Sequence, residues 1–305
     1  MQSYAEGCRY YEISYLGAAC LVLENDVIRS TMLLDYGATM IEYRCKSRDL
    51  NLVWRTPEWK QNLHRRQRMQ LDETGISENY LGGWFDIFPN YGASCQIDGV
   101  HYANHGELLY LPWSYKILEQ SSQQLTVQLY TWLSKQACYA AKEITIVKGS
   151  SSLSCTVHIE NTGGVDVPYQ WGFHPTLGAP FLSSACEIIL PPYDGADKQE
   201  KLWMQPEDSM KSSLLMIGGF STGRCRVRNH TLGLDFCMDW DAATFPYAQI
   251  WISAGHNYGH HNHGGAYALC IVPCSTQQES LSKGSHQLLH PGGVCRTQYS
   301  IYLEE

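Results

Sequence analysis

Apolar and polar residues alternate with a period of two along most of this chain, and turn-forming residues punctuate the alternation. "ACLVLENDVIRSTMLLDYGATMIEYRC" (19–45) predicts strand, Asn-Asp turn, strand, glycine turn, strand. "SYKILEQSSQQLTVQLYTWLS" (114–134) predicts a hairpin around "QSSQQ", and "YAAKEITIVKGSSSLSCTVHIENTGG" (139–164) a second one turning at "KGSSS". "LCIVPCS" and "TQYSIYLEE" predict late strands. Helical periodicity is scarce; only "LSKGSHQLL" and parts of 58–80 have room for short helices. Short, evenly spaced strands imply an all-β sandwich or barrel. With no internal repeat and no low-complexity linker, the expectation is one domain over 1–305. The charged, weakly periodic stretch 56–80 predicts a long loop of the kind that carries function.

Composition narrows the class. The chain has 305 residues, 44% of them apolar, a net charge of −8 and no basic run longer than "HRRQR" at 64–68, which argues against nucleic acid as a partner. "MQSYAEGCRYYEISY" lacks the basic and apolar regions of a signal peptide, and no apolar run approaches the ~20 residues that span a bilayer. A cytoplasmic protein with no membrane partner is expected. The 12 cysteines are scattered without a CxxC pair, the pattern of buried structural thiols. Twenty Tyr and nine Trp suit the apolar faces of sugars and are also ordinary in β-rich folds.

Four segments carry candidate chemistry. "PYQWGFHPTLGAPFL" (168–182), read as a strand through 174, puts Gln170, Gly172 and His174 on one face, with a glycine gap between two polar groups. "NHGELL" (104–109), if extended, puts His105 and Glu107 on one face, a pairing suited to proton transfer and equally found on strand surfaces. "FPYAQIWIS" (245–253) puts Gln249, Trp251 and Ser253 opposite Ala248, Ile250 and Ile252, as a sugar-stacking surface or the solvated face of an edge strand. "GHNYGHHNHGG" (255–265) gathers His256, His260, His261 and His263, a metal-like cluster in a glycine-rich loop without Cys or carboxylate, better read as a mobile loop over a pocket. Arg55, Arg65, Arg66 and Arg68 form either an anion pocket or a solvated charged loop. No nucleotide-binding glycine loop and no GxSxG elbow is present.

"GGWFDIFPN" (82–90), "NHGE" (104–107), "LPW" (111–113), "WGFHP" (171–175), "LGAPFL" (177–182), and Trp240, Asp241, "FPY" (245–247) and Trp251 occur in one order over most of the chain. Together with Asn25, Gly37, Ala38 and the late Leu289, Pro291, Gly292 and Gly293, they resemble the aldose 1-epimerase family, also called galactose mutarotases. The resemblance implies a β-supersandwich of stacked, mostly antiparallel sheets around a small-molecule carbohydrate site. It implies interconversion of α and β anomers by acid–base ring opening, without metal or organic cofactor. His174 takes the place of the acid at the ring oxygen, and His105 that of the histidine that polarises the sugar. Asn90, Asn104, Gln170, Trp171, Gln249 and Trp251 fall among the expected substrate contacts. The family's base, a glutamate before a proline in a late strand, corresponds to Val272. Losing one half of an acid–base pair commonly costs ~10²–10⁴-fold in rate. Three readings follow: Glu107 or the histidine-rich loop supplies the base; the site does other chemistry, including metal-dependent isomerisation or elimination; or the protein binds sugar without turning it over. The sequence leaves the sugar and the oligomeric state open.

Overall fold

A computed structural model describes residues 7–68, 80–194, 201–255, 266–277, 281–284 and 286–305. The architecture is β throughout, with one α-helix, Trp59–Arg68, among the described residues. Five strands form an antiparallel meander: Arg9–Tyr15, Ala18–Glu24, Ile28–Leu33, Thr39–Cys45 and Leu50–Asn51. A nine-stranded antiparallel sheet includes the hairpins Ser114–Gln120/Gln124–Leu133 and Cys138–Val147/Leu153–Asn161. The late strand Val294–Glu304 lies inside that sheet, between Leu153–Asn161 and Leu234–Trp240. The sheet that bears the site has six strands, among them Phe85–Ile87, Gly172–His174, Tyr247–Ala254 and Tyr267–Cys274. The predicted strand pairs form where the alternation placed them, because a period of two can bury only one face of a pleated strand. No helix among the described residues is long and apolar enough to cross a membrane.

The predicted continuous strand 168–174 is instead two. Val167–Tyr169 pairs with Gln287–Leu289, whereas Gly172–His174 joins the six-stranded sheet against Phe85–Ile87. At the break, the Gln170 backbone N–H donates to the Pro89 carbonyl and that of Trp171 to the Ser275 hydroxyl, so these two residues belong to neither ladder. The helix buries Trp59, Asn62, Leu63 and Arg66, an i, i+3, i+4, i+7 stripe. Trp59 stacks on Tyr15 with ring centroids 5.0 Å apart.

One buried ion pair joins two sheets. Lys142 of the nine-stranded sheet donates to Asp86 of the six-stranded sheet at 2.9 Å, with both side chains about one-twentieth exposed. The Tyr299 hydroxyl donates to the other Asp86 oxygen at 3.2 Å, and Phe173 stacks on Tyr299 at 4.0 Å. Burial alone would lower the Lys142 ammonium; the adjacent Asp86 charge more than reverses this and holds it above its ordinary value.

Candidate functional site

The site grows from one face of the strand Tyr267–Cys274. Leu269 and Ile271 point into the main core, while Cys270, Val272 and Cys274 point to the opposite face and pack with Phe85, Ile87, Tyr91 and Leu109. Cys270 pairs across the ladder with Thr176, and its Sγ lies 3.4 Å from His174 Nδ1. The Thr176 hydroxyl completes a triangle, 3.2 Å from His174 Nδ1 and donating to Cys270 Sγ at 3.4 Å. Phe85 lies flat against the His174 imidazole, with centroids 4.7 Å apart and planes 9° apart.

His105 comes to the same place from a turn. The segment 104–109 is not extended: His105 has φ 60° and Gly106 φ 80°, and a 3₁₀ turn, Glu107–Leu109, follows. A left-handed residue reverses the chain, so the predicted shared face of His105 and Glu107 does not form. His105 instead approaches His174, with ring centroids 5.4 Å apart. Glu107 turns to the 134–136 bend, where Oε1 accepts from the Ser134 backbone N–H at 3.2 Å and hydroxyl at 3.0 Å. Burial raises its carboxyl, and the Ser134 hydrogen bonds oppose that shift. Gly106 makes the turn possible: a Cβ there would sit 2.1 Å from the Phe88 carbonyl oxygen. Gly106→Ala is therefore expected to cost about 2–5 kcal/mol in a urea titration, from left-handed strain plus overpacking. A cost below about 1 kcal/mol would show that the turn rearranges freely.

Both imidazoles are uncharged at neutral pH. Burial pushes His105 down to about 4, against a hydrogen bond to the Gly92 backbone. Burial, then the neighbouring His105, pushes His174 down to about 3. Burial also raises the Cys270 thiol, so it stays protonated. Nδ1 of His105 and Oδ1 of Asn104 are buried and find no hydrogen-bond partner among the described residues. An aromatic row continues from the pair: Tyr80 meets Phe85 edge-on at 6.3 Å, Trp54 lies 6.2 Å from Tyr80, and Trp251 meets Trp54 edge-on at 6.2 Å.

Several predicted ligand contacts are structural. Asn90 is wholly buried: its amide donates to the carbonyls of Gly92, Ala93 and Ala103, and its Oδ1 accepts from the Leu281 backbone N–H at 3.2 Å. Gln170 is also fully buried and accepts from the Tyr91 backbone N–H at 3.2 Å. Trp171 is a core residue, edge-on to Phe245 at 5.4 Å. The glycine gap at Gly172 is occupied by protein, since a Cβ there would lie 3.0 Å from the Tyr91 ring. Gln249 and Trp251 do face the site side; Gln249 accepts from the Tyr91 hydroxyl at 3.2 Å. Val272, paired with Gln249, is 1% exposed and shares the Cys270 face. Of the arginines, Arg55 lies over the Trp59 ring at 4.5 Å, Arg66 is buried 5.7 Å from the Tyr36 ring, and Arg65 is exposed. His256, His260, His261 and His263 lie outside the described residues.

Thr176, Cys270, Phe85 and Tyr91 were not singled out from the sequence. Alternation could have found Thr176, two residues beyond His174, and Cys270, two before Val272.

Solved structures share this fold. One is a Klebsiella pneumoniae protein provisionally called an aldose 1-epimerase, with TM-score 0.73 and 15% identity, covering 94% of this chain and 79% of that one. A galactose mutarotase-like protein from Clostridium acetobutylicum matches with TM-score 0.67 and 13% identity over 98% of this chain and 99% of that one. The Slr1438 protein of Synechocystis sp. PCC 6803 matches with TM-score 0.65 and 16% identity over 100% and 99%. At these identities the likeness is one of fold. No curated protein matches the chain. Residues 16–288 match the family described as a domain of unknown function, DUF4432, and since that span covers most of the chain, the protein belongs to the DUF4432 family, built on a galactose mutarotase-like fold.

Proposed function

We propose that this protein acts on the anomeric centre of a sugar, opening and reclosing the ring by proton transfer at the His105–His174 pair. The observation that carries the reading is that pair: two uncharged imidazoles 5.4 Å apart, beside an aromatic row, on a mutarotase-like fold. Ring opening needs one group to accept the anomeric hydroxyl proton and another to serve the ring oxygen. Neutral imidazole can do either, according to which nitrogen carries its proton. Trp251 offers a stacking face, and Gln249 and Asn104 offer polar contacts to hydroxyls. The reading requires no cofactor. Its ligand is a free or phosphorylated hexose or a related sugar, and its setting is the cytoplasm, in keeping with 12 free cysteines.

A second reading, a sugar binder with a degenerate site, is favoured by Val272, which sets an apolar side chain where the resemblance expects the base. Anomer exchange followed by magnetisation-transfer NMR over aldoses and aldose phosphates separates the two. The catalytic reading expects faster exchange with the wild type and its loss in His174→Ala. Sugar-dependent line broadening without acceleration supports the binder; neither effect on any sugar sinks both.

A further inference from the structure

The Thr176–Cys270–His174 triangle has a definite proton order. A threonine hydroxyl has one proton and two lone pairs. The Thr176 hydroxyl is placed to donate to Cys270 Sγ, which commits that proton. Its remaining contacts are the Tyr80 hydroxyl, which has a proton of its own to donate, and His174 Nδ1 at 3.2 Å, which is attractive only if the nitrogen carries hydrogen. Were Nδ1 bare, two lone pairs would face each other at that distance. The Thr176 residue itself is held in place. Thr176 is wholly buried, and its carbonyl is held by the Trp54 backbone N–H at 2.8 Å and the Trp84 indole N–H at 2.7 Å. The flat stack on Phe85 fixes the imidazole plane.

We infer that Thr176 is a positioning residue that keeps the His174 proton on Nδ1, leaving Nε2 as a bare acceptor, so that His174 serves as the base in a site whose expected carboxylate position is Val272. The tautomer follows from the triangle alone; the base role rests on the proposed sugar chemistry. In that chemistry Nε2 takes the proton of the anomeric hydroxyl. The bond between C1 and the ring oxygen then breaks, its electron pair goes to the ring oxygen, and that oxygen, hydrogen-bonded from the His105 side, takes the proton that Nε2 has accepted. Rotation and reclosure run the same transfer in reverse. The resemblance alone assigned His174 the acid's place, so the triangle inverts its role.

The test reads tautomers by long-range ¹H–¹⁵N correlation at neutral pH, with His174 assigned from a His174→Gln variant. Wild type is expected to show a protonated Nδ1 and a bare Nε2. Thr176→Val removes the acceptor and leaves the Cys270 S–H as the nearest donor to Nδ1, so the proton moves to Nε2; Thr176→Ser keeps the wild-type pattern. Cys270→Ala tests the same order from the other corner. The freed Thr176 hydroxyl then donates to Nδ1 and again sends the proton to Nε2. This second variant decides the matter if Thr176→Val does not fold. A wild-type spectrum with protonated Nε2, or tautomers unmoved in the folded variants, overturns the inference. In an exchange-active protein, Thr176→Val is expected to lower kcat about 10²-fold with little change in KM, and Thr176→Ser to restore it. An unchanged kcat overturns the base role. A protein with the expected tautomers but no exchange on any sugar refutes the proposed function and leaves the Thr176 assignment standing.

Discussion

Lys142→Met is expected to destabilise the fold by about 3–5 kcal/mol, because it strands the Asp86 carboxylate between two sheets. Asp86 is about one-twentieth exposed and has two side-chain partners, Lys142 at 2.9 Å and the Tyr299 hydroxyl at 3.2 Å. Methionine fills much the same volume as lysine, so the loss is electrostatic rather than a cavity. The triple variant Asp86→Leu, Lys142→Met, Tyr299→Phe removes every member of the network and is expected to regain most of that loss, since apolar packing commonly matches a buried ion pair. Urea titrations of the wild type, single and triple variants decide it. A single variant within about 1 kcal/mol of wild type would mean that water reaches the pair. A triple variant no better than the single would mean that the network's shape matters more than its charge.

The second large effect is a loss of stability in mild acid. His105 and His174 have folded pKa values near 4 and 3, below the ~6.5 of an unfolded histidine. Between those values the unfolded chain binds protons that the folded chain refuses, so stability rises with pH across the window. The contribution is complete above about pH 6.5 and drains away as pH falls toward 4 and then 3. At pH 5 each imidazole has lost at most about 2 kcal/mol of stability relative to neutral pH. A His105→Gln, His174→Gln double variant should therefore show a visibly flatter fall between pH 7 and pH 5. Parallel slopes for the two proteins would place the acid sensitivity elsewhere.

How far the sequence could be read depends on what kind of signal each residue leaves. The hairpins at 114–134 and 139–164 are legible because burying one face of a pleated ribbon forces alternation, and a turn must carry residues that tolerate it. The His105–His174 meeting leaves no local trace. Only the resemblance gives both histidines a place in one site, and the turn that brings them together shows in the sequence only as Gly106. The left-handed conformation of His105 itself has no such marker. Asn90 and Gln170 mark a deeper limit. The Asn90 amide ties down the carbonyls of Gly92, Ala93 and Ala103, and an asparagine that serves a loop in this way looks the same in the chain as one that serves a sugar hydroxyl. Trp171 sat inside the right motif and proved to be core, because its strand breaks at that point to follow Ser275. Val272 shows the converse: its facing toward Cys270 and Cys274 follows from simple alternation along one strand.

The position of Val294–Glu304 inside the nine-stranded sheet bears on how the chain reaches this fold. That strand is made after both of its neighbours, Leu153–Asn161 and Leu234–Trp240, and each waits for it with one ladder edge open. The first neighbour waits through more than a hundred residues of synthesis. Open edges of apolar strands are the surfaces on which unfinished chains pair wrongly. Closing the sheet also joins segments far apart in sequence, which makes the last step a slow one. The sheet thus stays in two halves of four strands each until its middle strand has been made.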